Sequence, residues 1–145
     1  QAVEEARVPY EALGLQVYYP ARDMLEIERQ IERFFVFGKP IHITELGVSS
    51  SSAPAQTGEN RQPNRSVWHG SEWTEQIQAD WVEQFYTLCY SKPQVEAITW
   101  WDFSDPAFIP HGGLVHPDYR PKQVYERLSR LLAGWGHARA SAEGS

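Results

Sequence analysis

Apolar residues recur along the chain in three successive strand-then-helix patterns, and the first covers roughly residues 12–40. The segment 12–19, ALGLQVYY, predicts a strand, and Asp23 followed by Glu26 is a capping-box pattern that predicts the start of a helix. Gly38 and Pro40 predict its end. The apolar face of this helix comprises Met24, Ile27, Ile31, Phe34 and Phe35.

The second pattern has a longer loop between its strand and its helix. The segment 41–46, IHITEL, predicts a strand, and a loop rich in Ser, Pro and Asn follows it over 47–71. The helix after this loop must stop before Pro93. Its apolar face comprises Ile77, Trp81, Val82, Phe85, Leu88 and Cys89.

The third pattern completes the chain. The segment 95–101, VEAITWW, predicts a strand, and a loop rich in Pro and Gly leads to a last helix that is predicted to begin at Pro121 and end at Gly134. The tail 136–145 has no large apolar side chain and is predicted to be flexible. The apolar face of the last helix comprises Val124, Tyr125, Leu128, Leu131 and Leu132.

This alternation of strands and helices predicts an α/β fold with a parallel sheet and crossover helices. Two architectures fit the order, a doubly wound open sheet and part of a (β/α)8 barrel. A complete barrel needs about 250 residues. The 145 residues of this chain would then supply three of the eight units, with the predicted domain over 1–135.

Charge and cysteine content narrow the possible partners. A net charge of -6 repels nucleic acid and anionic membranes, so we expect neither as a partner. No apolar run approaches the roughly 20 residues that a membrane span needs. Cys89 is the single cysteine, which excludes an internal disulfide and a cysteine-based metal cluster. The histidines lack a metal-binding spacing, so we predict no metal and no cofactor.

Unusual residues stand at the ends of the predicted strands. In parallel α/β architectures these carboxyl ends share one edge, where ligands bind. Gln16 and Tyr18 end the first strand on one face, and Glu45 ends the second on the face expected for Ile41 and Ile43, because side chains alternate along a strand. Further candidates at this edge are Trp68, Trp101 and Asp102.

Amides, a phenol, carboxylates and indoles on one rim predict a sugar-binding surface, since indoles stack against sugar C–H faces while amides and oxygens bind hydroxyls. Each candidate also has a plainer interpretation. A glutamate at a strand end is usually solvated, one of two adjacent tryptophans at 100–101 is expected to pack, and Asp102 is suited to capping a turn. The serine run at 49–52 predicts a flexible loop.

Four segments taken in order resemble the C-terminal part of the family-10 glycoside hydrolases, the β-1,4-xylanases. The similarity covers roughly 12–132. It implies that the three strands are strands six, seven and eight of a (β/α)8 barrel, and that the chain is an incomplete domain. The segments are GLQVYY, KPIHITELGV, QADWVEQFYTLCYSKPQVEAITWWDFSDPAF and GGLVHPDYRPKQVYERL.

The resemblance also implies roles for individual residues. Glu45 corresponds to the catalytic nucleophile, Gln16 to a glutamine that contacts the sugar beside it, and Trp101 to the tryptophan under the sugar at the cleavage site. The implied function is a retaining hydrolase of a β-1,4-linked plant polysaccharide such as xylan. The implied partner is a polysaccharide or oligosaccharide, and the complete protein is expected to be a secreted or periplasmic monomer.

Two positions depart from the family pattern. Family members carry a histidine at the position of Tyr18 and an aspartate at the position of Gly47, and that pair orients the nucleophile. Here Tyr18 would donate a phenolic hydrogen bond to Glu45 instead, and bonds from Tyr18 or Gln16 would favour the ionised carboxylate. The departure leaves the reaction class intact but weakens the expectation of xylan.

The second carboxyl group of the reaction is missing from the pattern. A retaining glycosidase needs two carboxyl groups about 5–5.5 Å apart. The resemblance places the general acid in an Asn-Glu motif on strand four, and this chain contains no Asn-Glu dipeptide. The carboxylates nearest the rim, Glu72, Asp102 and Asp105, do not match that acid. We therefore expect this chain alone to be inactive.

Two other classes of protein remain open. A non-catalytic carbohydrate-binding domain would keep the aromatic platform without needing Glu45. A flavodoxin-like binding protein would hold a phosphate at the strand ends, but no glycine-rich phosphate loop follows any strand. A Glu45→Gln substitution that abolishes turnover and spares sugar binding would separate the hydrolase from the binding domain.

Overall fold

A parallel sheet forms the centre of the molecule. The computed structural model describes residues 9–18, 21–54 and 65–143, with side chains of the last helix described through 135. All strand pairs are parallel, and β2 lies between the other two, which confirms the predicted α/β class. The strands are β1 (Leu13–Val17), β2 (Ile41–Leu46) and β3 (Val95–Trp100).

Three α-helices follow the three strands. Helix α1 begins as predicted, because the Asp23 Oδ1 accepts a hydrogen bond from the Glu26 amide at 2.8 Å. Helix α2 begins after Thr74, whose hydroxyl accepts from the Ile77 amide at 3.2 Å. None of the described helices is both long and apolar enough to cross a bilayer. The helices are α1 (Met24–Glu32), α2 (Glu75–Tyr90) and α3 (Gln123–Glu143), with a 3-10 turn at Phe35–Phe37.

The prediction that the last helix ends at Gly134 is wrong, because α3 continues to Glu143. A glycine inside a helix costs only about 1 kcal/mol relative to alanine. The neighbouring Trp135 ring stacks on Tyr90 of α2 with centroids 4.0 Å apart, and this packing holds the helix in register beyond the glycine. The tail 136–145 was predicted to be flexible; its backbone is helical as far as Glu143, residues 144 and 145 lie outside the described residues, and its flexibility stays a prediction.

One face of the sheet packs against the helices and forms the core. Ile41, Ile43 and Leu46 of β2 are fully buried there, against a layer that includes Trp81 and Phe85 of α2. Burial of each such side chain contributes about 1.5–3 kcal/mol. The alternation along β1 leaves Gly14 and Gln16 exposed on the opposite face.

Glu45 lies on the opposite face from the one predicted. Leu15 pairs with Ile43, but the next residue of β1, Gln16, pairs with Glu45, so Thr44 is an additional residue in β2. This β-bulge reverses the alternation of side chains over one residue. The bulge therefore brings Glu45 to the face of Gln16, whereas strict alternation would have placed it with Ile43.

Ion pairs join the helices around the core. Arg127 of α3 binds Asp80 and Glu83 of α2. Lys92, just after α2, binds Glu28 and Glu32 of α1, at 2.6 Å for the second. The outer helical layer is thus connected across all three βα units.

Candidate active site

Two hydrogen-bond donors from the end of β1 converge on the carboxylate of Glu45. The Gln16 Nε2 donates to Oε1 at 2.7 Å, and the Tyr18 hydroxyl donates to Oε2 at 2.5 Å. Each carboxylate oxygen therefore has its own donor, which fixes the rotation of the group as well as its position. Gln16 is exposed, and Tyr18 and Glu45 are half-buried, so the carboxylate is held firmly at a surface that a ligand can reach.

The environment of Tyr18 keeps its phenol protonated. Burial raises the pKa of Tyr18 above its usual range, and the hydrogen bond to Glu45 with the nearby charges of Glu45 and Asp102 raises that pKa further. Tyr18 is consequently a permanent donor to Glu45 at neutral pH.

The adjacent tryptophans at the end of β3 have different environments, as the alternation predicted. Trp100 packs against the core, and its Nε1 donates to the Gly112 carbonyl at 3.1 Å. The Trp101 side chain is 47% exposed, while its backbone amide donates to the Leu46 carbonyl at 2.9 Å. This backbone bond places an accessible indole directly beside the end of the strand that carries Glu45.

Asp102 supports the loop after β3. Its Oδ2 accepts from the amides of Phe108 at 2.8 Å and Ile109 at 3.4 Å. This is the turn-capping interpretation of Asp102. The charge of Asp102 also raises the pKa of Tyr18, so Asp102 lies near the Glu45 site. Its Oδ2, however, is already engaged by the two backbone amides.

Trp68 does not join the accessible site. Its side chain is 4% exposed and lies in the hydrophobic core, with its ring centroid 4.6 Å from that of His69. Trp68 was predicted to lie on the sugar-binding rim, but the structure buries its indole. The loop folds back through paired backbone bonds between Trp68 and Ser71, both at 3.0 Å, which turn the indole inward.

The first half of the serine run is ordered by bonds to the loop after β3, contrary to the predicted flexible loop. Ser49 and Ser50 are buried. The Ser49 Oγ donates to the Pro110 carbonyl at 2.6 Å, and the Ser50 amide donates to the His111 carbonyl at 3.0 Å. The loops that follow β2 and β3 thus form one connected rim.

Lys122 is a buried residue of this rim that the sequence pattern missed. Its side chain is 1% exposed and its Nζ lies 2.5 Å from the Asp105 Oδ2. The same nitrogen donates to the Ser50 Oγ and the His111 carbonyl, both at 3.1 Å. A lysine immediately before a helix gives no sequence signal of burial, because its partners lie in two distant loops.

Comparison with known proteins identifies the family. The model of glycosyl hydrolase family 10 matches residues 1–129. The chain belongs to glycosyl hydrolase family 10. No curated protein sequence matches the chain.

Several solved structures are similar in fold to this family-10 chain. Xylanase 10B from Thermotoga petrophila RKU-1, crystallised with xylobiose, is 24% identical with a TM-score of 0.66 over 92% of this chain. Native xylanase 10B from Thermotoga maritima is 24% identical with a TM-score of 0.65 over 92% of this chain. A β-glucuronidase from Bifidobacterium dentium is 19% identical with a TM-score of 0.60, over 84% of this chain and 20% of the glucuronidase chain.

The family-10 chain is shorter than these structures. It spans 39% of the Thermotoga petrophila xylanase and 40% of the Thermotoga maritima xylanase. Its three parallel strands and their helices therefore match part of a family-10 TIM barrel.

Proposed function

We propose that this chain carries the nucleophile half of a retaining glycoside hydrolase site, with Glu45 as the nucleophile. The convergence of two side-chain donors on Glu45, one on each oxygen, is the observation that supports this role. A nucleophilic carboxylate must keep one oxygen aimed at the anomeric carbon, and fixed donors supply that orientation. A solvated strand-end glutamate would need neither donor.

The substrate that we propose is a β-1,4-linked plant polysaccharide such as xylan. Family membership and the xylobiose complex of the Thermotoga petrophila enzyme support an oligosaccharide ligand. The half-exposed Trp101 supplies a flat apolar surface beside Glu45 for a sugar ring, and the exposed Gln16 can also bind a hydroxyl group. These two residues and Glu45 would form the subsite next to the cleaved bond.

We further propose that the three strands are strands six to eight of the barrel. β1 and β3 are the edges of the described sheet, and a groove runs along each of them. One groove of about 390 Å³ is lined by residues including Ile27 and Phe34, and one of about 340 Å³ by residues including Ile98 and Trp135. Further βα units packed at both edges would cover these grooves.

The general acid of the reaction would come from outside this chain. Asp102 accepts backbone bonds from the following loop, and Asp105 is paired with Lys122, so both carboxylates are engaged in holding the rim. Without a general acid, a sugar leaving group departs unprotonated, and such catalysis typically contributes about 10²–10⁴-fold. The chain alone should therefore show almost no turnover of natural polysaccharide.

An activated glycoside tests the role of Glu45 without needing the missing acid. Dinitrophenolate leaves without protonation, so incubation with 2,4-dinitrophenyl β-xylobioside should give a burst of dinitrophenolate and then stall. Glu45→Gln should abolish the burst. Glu96→Gln is the matched control, because Glu96 is an exposed glutamate on the neighbouring strand. Equal bursts from the wild type and Glu45→Gln would contradict the proposal.

The same pair of variants addresses the carbohydrate-binding alternative. If xylo-oligosaccharide binding, measured by calorimetry, is unchanged in Glu45→Gln while no burst occurs in either protein, the chain is a binding domain. The two-donor arrangement around Glu45 favours the hydrolase, since an aromatic platform alone does not require it.

A further inference from the structure

We propose that Gly47 is a positioning residue, whose missing side chain leaves the space in which the Tyr18 ring lies while its hydroxyl bonds to Glu45. The catalytic meaning of this role rests on the function proposed above. The steric role itself does not, because it concerns only how the side chains of Tyr18 and Ile109 pack against the backbone at Gly47. Gly47 follows β2 directly, two residues beyond Glu45.

Distances around Gly47 show how little room there is. A Cβ at this position would lie 2.7 Å from the Ile109 Cγ1, 3.2 Å from the Tyr18 Cε1 and 3.4 Å from the Tyr18 Cδ1. The first distance is a clash, and the second requires the ring to shift. Gly47 lacks the positive φ recorded for Gly38 and Gly70, so its backbone suits any L-residue. The requirement for glycine is therefore steric and not conformational.

Ile109 has little freedom to make way for a new side chain. On its other side, a Cβ at Gly112 would lie 2.8 Å from the Ile109 carbonyl oxygen and 2.9 Å from its Cβ, so two glycines enclose this residue. The following backbone is held by the bond from Ser49 to Pro110 at 2.6 Å. Because this loop is fixed, a side chain at position 47 must displace the Tyr18 ring.

Displacement of the ring acts directly on Glu45. The Tyr18 hydroxyl is 2.5 Å from the Glu45 Oε2, and a hydrogen bond weakens quickly as its geometry departs from this range. Oε1 would keep its bond from Gln16, so the carboxylate would be held at one oxygen and free to rotate. Gly47 thus controls the orientation of Glu45 through Tyr18 without touching Glu45.

The test measures the Tyr18 hydroxyl in the 145-residue chain by NMR of ¹³Cζ-labelled tyrosine, with Tyr18→Phe to assign the signal. In the wild type, burial and the facing charges of Glu45 and Asp102 should hold the Tyr18 pKa well above the ordinary value of about 10. In Gly47→Ala the titration midpoint should fall, because the hydrogen bond to Glu45 that helps to raise the pKa of Tyr18 is weakened. An unchanged midpoint in a folded Gly47→Ala protein would overturn the proposal.

Two further variants make every outcome decisive. Gly134→Ala is the matched control, because a Cβ there meets nothing within 4 Å, and it should leave the Tyr18 signal unchanged. Gly47→Ala/Ile109→Ala removes the closer of the two contacts and should restore most of the raised pKa. If Gly47→Ala does not fold, the double variant decides: recovery of both fold and raised pKa supports the steric role, and failure of either refutes it. No sugar enters these measurements, so they remain distinct from the test of Glu45 as nucleophile.

Discussion

Replacing Lys122 with methionine should strongly destabilise the chain, because this ammonium group is buried with a complete set of partners. An ammonium has three N–H donors, and Lys122 has three acceptors: the carboxylate of Asp105, the hydroxyl of Ser50 and the carbonyl of His111. The lysine side chain is 1% exposed and the Asp105 side chain 12% exposed. Lys122→Met fills similar space but leaves a nearly buried carboxylate without its counter-ion.

The expected loss in the free energy of unfolding is about 3–5 kcal/mol, the cost of breaking a buried ion pair by removing one partner. That is a large share of the 5–15 kcal/mol or so that stabilises a typical domain. Urea unfolding followed by tryptophan fluorescence measures it as a lower midpoint. Lys92→Met is the matched control, since Lys92 also binds two carboxylates but its side chain is 20% exposed, and its midpoint should move much less.

A double variant separates the ion pair from general disruption. Asp105→Asn keeps a side-chain oxygen that can accept the hydrogen bond from the Gly113 amide, which is 3.0 Å long in the wild-type chain. Lys122→Met/Asp105→Asn should be less destabilised than the sum of the single variants, because no unpaired charge remains buried. A loss below about 1 kcal/mol in Lys122→Met, or a loss equal to that of Lys92→Met, would refute the reasoning.

Three further predictions concern stability and binding. Burial raises the pKa of the Cys89 thiol from 9.0 to about 12. The contribution of the protonated thiol to the free energy of unfolding should therefore be fully present below pH 9.0 and decline as the pH rises towards 12. Urea titrations of Cys89→Ala should show a smaller decline over the same pH range. Trp101→Ala should weaken xylo-oligosaccharide binding in calorimetry with the melting temperature unchanged, whereas Trp68→Ala should cost about 3–5 kcal/mol of stability. Gly134→Ala should raise the thermal midpoint by the equivalent of about 0.5–1 kcal/mol, since the added methyl group meets nothing.

The edge of the sheet at which the site lies was predictable from sequence, because parallel strands in chain order share one edge for their carboxyl ends. Gln16, Tyr18 and Glu45 all stand at strand ends and so come to this edge, but the two hydrogen bonds to Glu45 also require the bulge that turns its side chain to the face of Gln16. The separation of Trp100 and Trp101 likewise follows from strand alternation. Their roles in binding and catalysis stay proposals.

Features that depend on distant contacts could not be predicted. The bulge at Thr44 exists only because β1 and β2 pair with a shifted register, and that shift is invisible in either strand alone. The burial of Trp68 and Lys122 arises from loops that fold back on the rim, and the residues next to them in sequence do not indicate it. Gly47 was visible as a departure from the family pattern, but its steric role requires the position of Ile109.

The most direct measurement of the central claim is covalent trapping on Glu45. The chain is incubated with an excess of 2,4-dinitrophenyl 2-deoxy-2-fluoro-β-xylobioside, whose fluorine slows hydrolysis of the glycosyl-enzyme, and is then digested for peptide mass spectrometry. The account predicts a fluoroxylobiosyl adduct on the peptide IHITELGV, located at Glu45, and none in Glu45→Gln. An adduct on another carboxylate, or an unlabelled Glu45 in folded protein, would contradict it.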